Sequence, residues 1–201
     1  MTSVHDETAT ETELDEEPGQ PGKRKITWYE ADDAKELLAS GAMSPTFLNP
    51  EVISAIVGGK LHLGSGSRVL FQDADPEGFS LVHAWFGENF PLPRHTHSGD
   101  CLYFVLRGEL KMGSKTVKAG SGFFVPSNRP YTYRAGVGGV EVLEFRKVST
   151  FDMITLDQDL AKWQSYVAIG EDKEDAWNET RPQWVDNLAG GVGVTTADES
   201  E

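Results

Sequence analysis

Apolar and polar positions alternate most regularly in the middle of the chain. From about residue 60 to 148, short runs rich in β-branched and aromatic residues follow one another: LHLGSGSRVLF, FSLVHAWF, CLYFVLRG, ELKMG, KTVKAG, GFFVP, YTYRAG and VEVLEFR. Gly, Pro, Asn or Asp separates most of them. Many short strands with frequent turn signals predict an antiparallel sandwich or barrel. The flanks read differently. ADDAKELLASG predicts a short helix, with Asp32 or Asp33 as cap, Leu37 and Leu38 as its apolar face and Gly41 at its close. Asn49-Pro50 and Gly58-Gly59 then punctuate the chain. Beyond Thr150 the period becomes helical. Leu156, Leu160, Trp163 and Val167 recur at spacings of four, three and four, which is one helix face. This helix is expected to pack on the barrel or on a second subunit. EDKEDAWNETRPQWVD predicts a further helix that stops before Pro182.

Composition sharpens this division. The chain has 201 residues, 38% hydrophobic and 10% aromatic, which is enough for one domain with a sizeable core and tails. The stretch 1–25 is acidic and polar and cannot bury enough apolar surface to offset chain entropy, so it is expected to be disordered. The organisation expected is therefore a tail at 1–25, a helical or extended arm at 26–59, the barrel at 60–148, C-terminal helices at 149–187 and a flexible tail at 188–201. The formal net charge of -14 argues against nucleic acid and anionic membranes as partners, since both repel an acidic surface. A single cysteine, Cys101, permits no intramolecular disulfide and no CxxC zinc module. With no apolar leader and no spanning segment, the expectation is a soluble cytoplasmic protein.

The chemistry concentrates in HTHSGDCLYFVLRGEL, residues 95–110. On a strand, residues i and i+2 point to the same side, so His95 and His97 aim two imidazoles at one point. Positions 99, 101, 103 and 105 share that face while pairing stays regular. A bulge at Ser98-Gly99 would bring Asp100 round instead.

The stretch from Gly87 to Gly108 resembles the first motif of the cupin superfamily, a glycine, an HxH pair, a glutamate and a closing glycine. GSGFFVPSNRPY, Gly120 to Tyr131, resembles the second motif through Gly120 and Pro126. The resemblance implies a mainly β fold, a cupin-type antiparallel jelly-roll barrel with short flanking helices and a central cavity. It also implies a divalent metal ion (Fe, Mn, Zn, Cu or Ni) on His95 and His97. Cys101 stands where the motif has glutamate, and Tyr131 where the second motif has histidine. The third ligand is then Cys101, Tyr131, His83, Asp100 or the substrate. A His2Cys set suits zinc or copper; Tyr131 or His83 keeps iron or manganese open. Tyr131 is the candidate catalytic acid. Cys101 and Tyr131 or Tyr133 together also resemble the cysteine–tyrosine arrangement of thiol dioxygenases. Arg94, Arg107, Arg129, Arg134 and Arg146 are candidate carboxylate clamps. The implied function is a metal-dependent small-molecule enzyme, dioxygenase-like on a small oxygenated or aromatic substrate. An isomerase or lyase, or a non-catalytic metabolite-binding cupin, is the alternative. The barrel is expected to form a homodimer.

Overall fold

In the computed structural model, which describes residues 26–46 and 48–188, the alternating runs become strands. A 3₁₀ turn at Ala31–Asp33 leads into β1 (Lys35–Glu36) and β2 (Met43–Pro45). Helix α1 (Pro50–Val57) and a second 3₁₀ turn (Leu61–Gly64) precede β3 (Ser65–Gln72) and β4 (Ser80–Phe86). Then come β5 (His95–Thr96), β6 (Cys101–Met112), β7 (Lys115–Lys118), β8 (Gly122–Val125), β9 (Arg134–Arg146) and β10 (Phe151–Thr155). Helices α2 (Leu160–Thr180) and α3 (Gln183–Asp186) follow. The expectations for 1–25 and for all of 188–201 but Leu188 lie outside the described residues.

The larger sheet runs β1-β3-β4-β9-β6-β7, with β8 also paired to β6, and the smaller runs β2-β10-β5. Isolated bridges join His95 of β5 to Tyr131 and Arg134 of β9 to Pro91. The expected antiparallel β fold with flanking helices is therefore the one observed; β10 and β2 alone among these pairings run parallel. Period-two alternation decides which side chains face in. On β6, Cys101, Tyr103 and Val105 are buried while Leu102, Phe104 and Leu106 are exposed. The inward set of β9, from Val140 through Val142 and Glu144 to Arg146, lies in register with Phe86, Ala84, Val82 and Ser80 of β4. Two charged residues thus sit in an otherwise largely apolar interior layer.

Three expectations are corrected. ADDAKELLASG is not a helix. Lys35 and Glu36 pair with Val69 and Arg68 at the edge of β3, and the Glu36 carboxylate accepts hydrogen bonds from the N–H groups of Leu38 (2.7 Å) and Ala39 (2.9 Å), which holds a turn. Leu37 joins Ala42, Val69, Val82 and Phe151 in a satellite core; strand pairing outweighs a marginal helix propensity. The arm's helix starts instead at Asn49-Pro50. Asn49 caps it by accepting from Val52 N–H (2.9 Å), and Pro50 occupies the first helical position. Finally, β10 lies within the stretch expected to be helical, and the two C-terminal helices expected before Pro182 are one, α2. Its buried stripe is Trp163, Tyr166, Gly170 and Trp177; of the predicted face Trp163 is in this stripe and Leu160 packs on the core, whereas Leu156 precedes the helix.

Helix α2 closes one side of the barrel by close approach. Trp177 is fully buried, and its indole N–H donates to the Glu88 carbonyl (2.9 Å). A Cβ on Gly64 or Gly87 would lie 2.6 or 2.3 Å from that indole, so both positions need glycine for the ring to seat. Gly108, the closing glycine of the HxH stretch, has φ +70 and would place a Cβ 2.1 Å from the Gly139 carbonyl oxygen.

Candidate functional site

His95 lies on β5, opposite Thr155 of β10, and His97 follows directly. Both are buried and face the same cavity, as the i, i+2 spacing predicts, with ring centroids 4.9 Å apart. Backbone carbonyls orient both rings. His95 Nδ1 donates to the Pro93 carbonyl (2.7 Å), and His97 Nδ1 donates to the Asp152 carbonyl. A donating Nδ1 fixes the neutral tautomer that leaves a lone pair on Nε2. Desolvation lowers the pKa of both imidazoles, to about 4 for His97, where the Arg146 charge adds to the effect. The pair therefore presents two neutral bases.

The cavity has a volume of about 290 Å³, at the small end for ligand pockets (~300–1,000 Å³). Phe86, Phe90, Leu92, Met153 and Trp163 supply apolar wall; Tyr103, Glu144 and Arg146 supply polar groups. Arg146 is completely buried. Its Nη2 donates to Glu144 Oε2 at 2.7 Å, and its guanidinium carbon stands 3.8 Å from the centre of the Phe151 ring. Burial is the largest single influence and disfavours its charge, but Glu144 together with Tyr103, Cys101 and Tyr131 more than offsets it and keeps the guanidinium protonated. His97 packs edge-on to the same Phe151 ring, centroids 5.5 Å apart.

Of the other predicted residues, some reach the site and some do not. Tyr131 packs on His95, with centroids 4.3 Å apart, but its hydroxyl bonds to that of Tyr103 and it does not line the cavity. Tyr103 is the phenol that does. It was legible only as a position sharing the face of Cys101. Cys101 faces inward and is fully buried, and burial pushes its thiol up to about 12. His83 is on the wrong side of β4: it alternates with the inward Val82 and Ala84, bonds Glu141 (3.0 Å) and stacks on Trp184. Asp100 is exposed and accepts from Ser127 N–H. Tyr133 is buried among aromatics with its hydroxyl unpartnered among the described residues. His62, on the second 3₁₀ turn, also lines the cavity. Among the five candidate arginines, Arg146 alone is a cavity residue; Arg107 reaches outward to Glu141 and Arg134 to the Asn89 carbonyl.

This donor set does not fit a divalent ion held by the protein. No group of three or more His, Cys, Asp or Glu side chains gathers around a common point among the described residues. His62, His95 and His97 all line the cavity without three such donors converging on one point, the thiol is held protonated, the two phenols bond each other, and Glu144 is engaged by Arg146.

No family model matches the chain, and neither does any curated protein. Solved structures similar to it are cupin-fold proteins. The polyketide cyclase RemF from Streptomyces resistomycificus is 16% identical with a TM-score of 0.47, over 82% of this chain and 99% of that one. An RmlC-like cupin from Shewanella frigidimarina is 22% identical with a TM-score of 0.37, over 42% and 78%. The DMSP lyase DddQ from Ruegeria pomeroyi is 20% identical with a TM-score of 0.37; the match covers 41% of this chain and 46% of that one. No helix among the described residues is long and apolar enough to cross a membrane.

Proposed function

We propose that the cavity is an active site for proton transfer at a carbon next to a carbonyl group, the chemistry of isomerases and lyases, on a small and mostly apolar substrate. The observation that carries this reading is the orientation of the two imidazoles. Each is tied at Nδ1 to a backbone carbonyl, so each turns an unprotonated Nε2 away from the backbone in a largely apolar space. One imidazole takes the substrate proton and returns it at a new position; Tyr103 is the second group able to carry a proton there. The apolar wall excludes water from the exposed carbanion. Ring- or carbon–carbon-cleaving dioxygenation would need a redox centre that these donors do not fit.

The test is hydrogen–deuterium exchange in heavy water, followed by NMR, with a panel of uncharged aryl ketones and diketones. Chelator-treated wild type is expected to exchange the hydrogens next to the carbonyl. His95→Gln with His97→Gln should slow this about 100-fold or more, the usual contribution of a general base. Exchange that vanishes on chelation and returns with one equivalent of metal would overturn the reading. So would ligand binding without exchange, which would leave a metabolite-binding protein.

The outer sheet face carries a second proposal. Phe124, Leu102 and Phe145 lie side by side across β8, β6 and β9, Phe79 stacks on Phe145 at 5.2 Å, and Phe104 adjoins them; all five are exposed. A contiguous apolar face of this kind marks an interface. With no charge in the Phe124–Leu102–Phe145 row, a second copy of the same face suits it, as in two-fold dimers. Light scattering should give the mass of two chains, and Leu102→Glu with Phe124→Glu the mass of one. A single-chain mass for wild type at micromolar concentration would refute it.

A further inference from the structure

We propose that Arg146 holds the substrate's oxygen, and that the substrate class is an uncharged carbonyl compound, not a carboxylate. Arg146 is fully buried and lines the cavity. Of its donor nitrogens, Nη2 bonds Glu144, while Nε and Nη1 have no partner among the described residues. Buried donors on a charged group are rarely left empty, because each forfeits its hydrogen bond to water and receives nothing in return. The Phe151 ring against the guanidinium fixes its plane, and the same ring carries His97 on its edge. Arg146 and His97 therefore line the same cavity, with the Phe151 side chain in contact with both.

Charge decides between the oxygens that could enter. Glu144 already balances Arg146, and Asp157, the other carboxylate that acts on His95, is balanced by Lys162 at 2.7 Å. Burial disfavours the charged form of both His95 and His97. A carboxylate would add an uncompensated buried negative charge, whereas a ketone, ester or amide oxygen accepts from Nε–H or Nη1–H without one. The inference rests on the proton-transfer reading for the oxygen's chemical role. As the carbon–hydrogen bond breaks, its electron pair forms the new carbon–carbon double bond, and the carbonyl π pair moves onto oxygen. The proton goes to imidazole Nε2. The oxygen charge that develops meets the Arg146 donors, and Glu144 keeps the guanidinium in place. Reprotonation at carbon restores both groups, and no oxidant or reductant is consumed.

Acetophenone and benzoate share a ring and differ in the charge on the oxygen group, which makes them the probes. Full-length protein labelled with nitrogen-15 at arginine is titrated with each, and the Arg146 Nε–H resonance is followed. Acetophenone is expected to shift it, and benzoate to bind about tenfold more weakly or less well, the scale of one hydrogen bond to a charged group. Arg146→Met with Glu144→Gln removes both charges together, so the interior stays balanced; its folding is checked by thermal melting. In that double variant acetophenone should lose about tenfold in affinity. Benzoate binding more tightly than acetophenone would overturn the substrate class. Unchanged acetophenone affinity in a folded double variant, or no shift of Arg146 on saturation, would overturn the role of Arg146. Failure of both probes to bind at millimolar concentration would count against the inference as a whole. Exchange activity is read separately. If acetophenone moves Arg146 but is not exchanged, the site assignment stands and the proton-transfer reading falls. If the double variant exchanges at the wild-type rate, the reverse holds.

Discussion

Glu144→Gln should lower the stability of the folded chain by about 3–5 kcal/mol, the cost of leaving one half of a buried ion pair without its counter-charge. Arg146 is wholly inside the barrel and its one bonded nitrogen points at Glu144. The amide keeps the shape and one acceptor oxygen but removes the charge, so packing changes little and the loss reports electrostatics. Adding Arg146→Met should recover most of it, since two neutral side chains of similar volume need no compensation in this layer. Urea midpoints of the wild type, both single variants and the double variant form a complete cycle. A Glu144→Gln variant as stable as wild type would show that the pair is solvated in solution.

Acidification should weaken the fold through the histidines well before the carboxylates take over. His97 has a folded pKa of about 4 against an ordinary 6.5, because burial and the nearby Arg146 disfavour its charged form. The unfolded chain therefore binds a proton that the folded chain refuses. The stabilisation is present in full above pH 6.5 and is lost as pH falls from there toward 4, for a total of roughly 3 kcal/mol. His95, shifted in the same direction by burial, steepens the slope. Urea midpoints measured from pH 7.5 down to pH 4.5 should fall accordingly, and His97→Gln should flatten the curve. A profile that is level across this window would mean that the imidazoles titrate in contact with water.

How much of this could be read from the residues alone depends on the range of the interaction involved. Alternation and turn residues are local, so the strands and the shared face of His95 and His97 were legible. The glycine frame was legible for the same reason, since Gly108 answers to its own φ and to a carbonyl that its Cβ would strike. Positions whose role depends on a partner far along the chain were not. Lys35-Glu36 becomes a strand only because β3 offers an edge. The cavity phenol is Tyr103, and not Tyr131, because the register of β6 against β9 places Tyr103 beside Glu144. Arg146 stood among five equivalent arginines until β9 acquired its neighbours. His83 failed as a ligand because its strand parity, which the sequence does contain, puts it with Leu81 and Trp85, opposite the inward set.

The wall of the cavity draws on two populations of residues. His95, Tyr103, Glu144 and Arg146 belong to β5, β6 and β9, whereas Ile56, Leu61 and Trp163 come from α1, the 3₁₀ turn after it and α2. The polar groups of the cavity thus stand on hydrogen-bonded strands, where any displacement propagates through the ladder. Size and shape are written partly on packed helical elements that only lean against them. Substitutions at Ile56 or Trp163 are expected to resize the chamber without disturbing the register that sets its polar groups. A descendant of this chain could change what it accepts while keeping what it does.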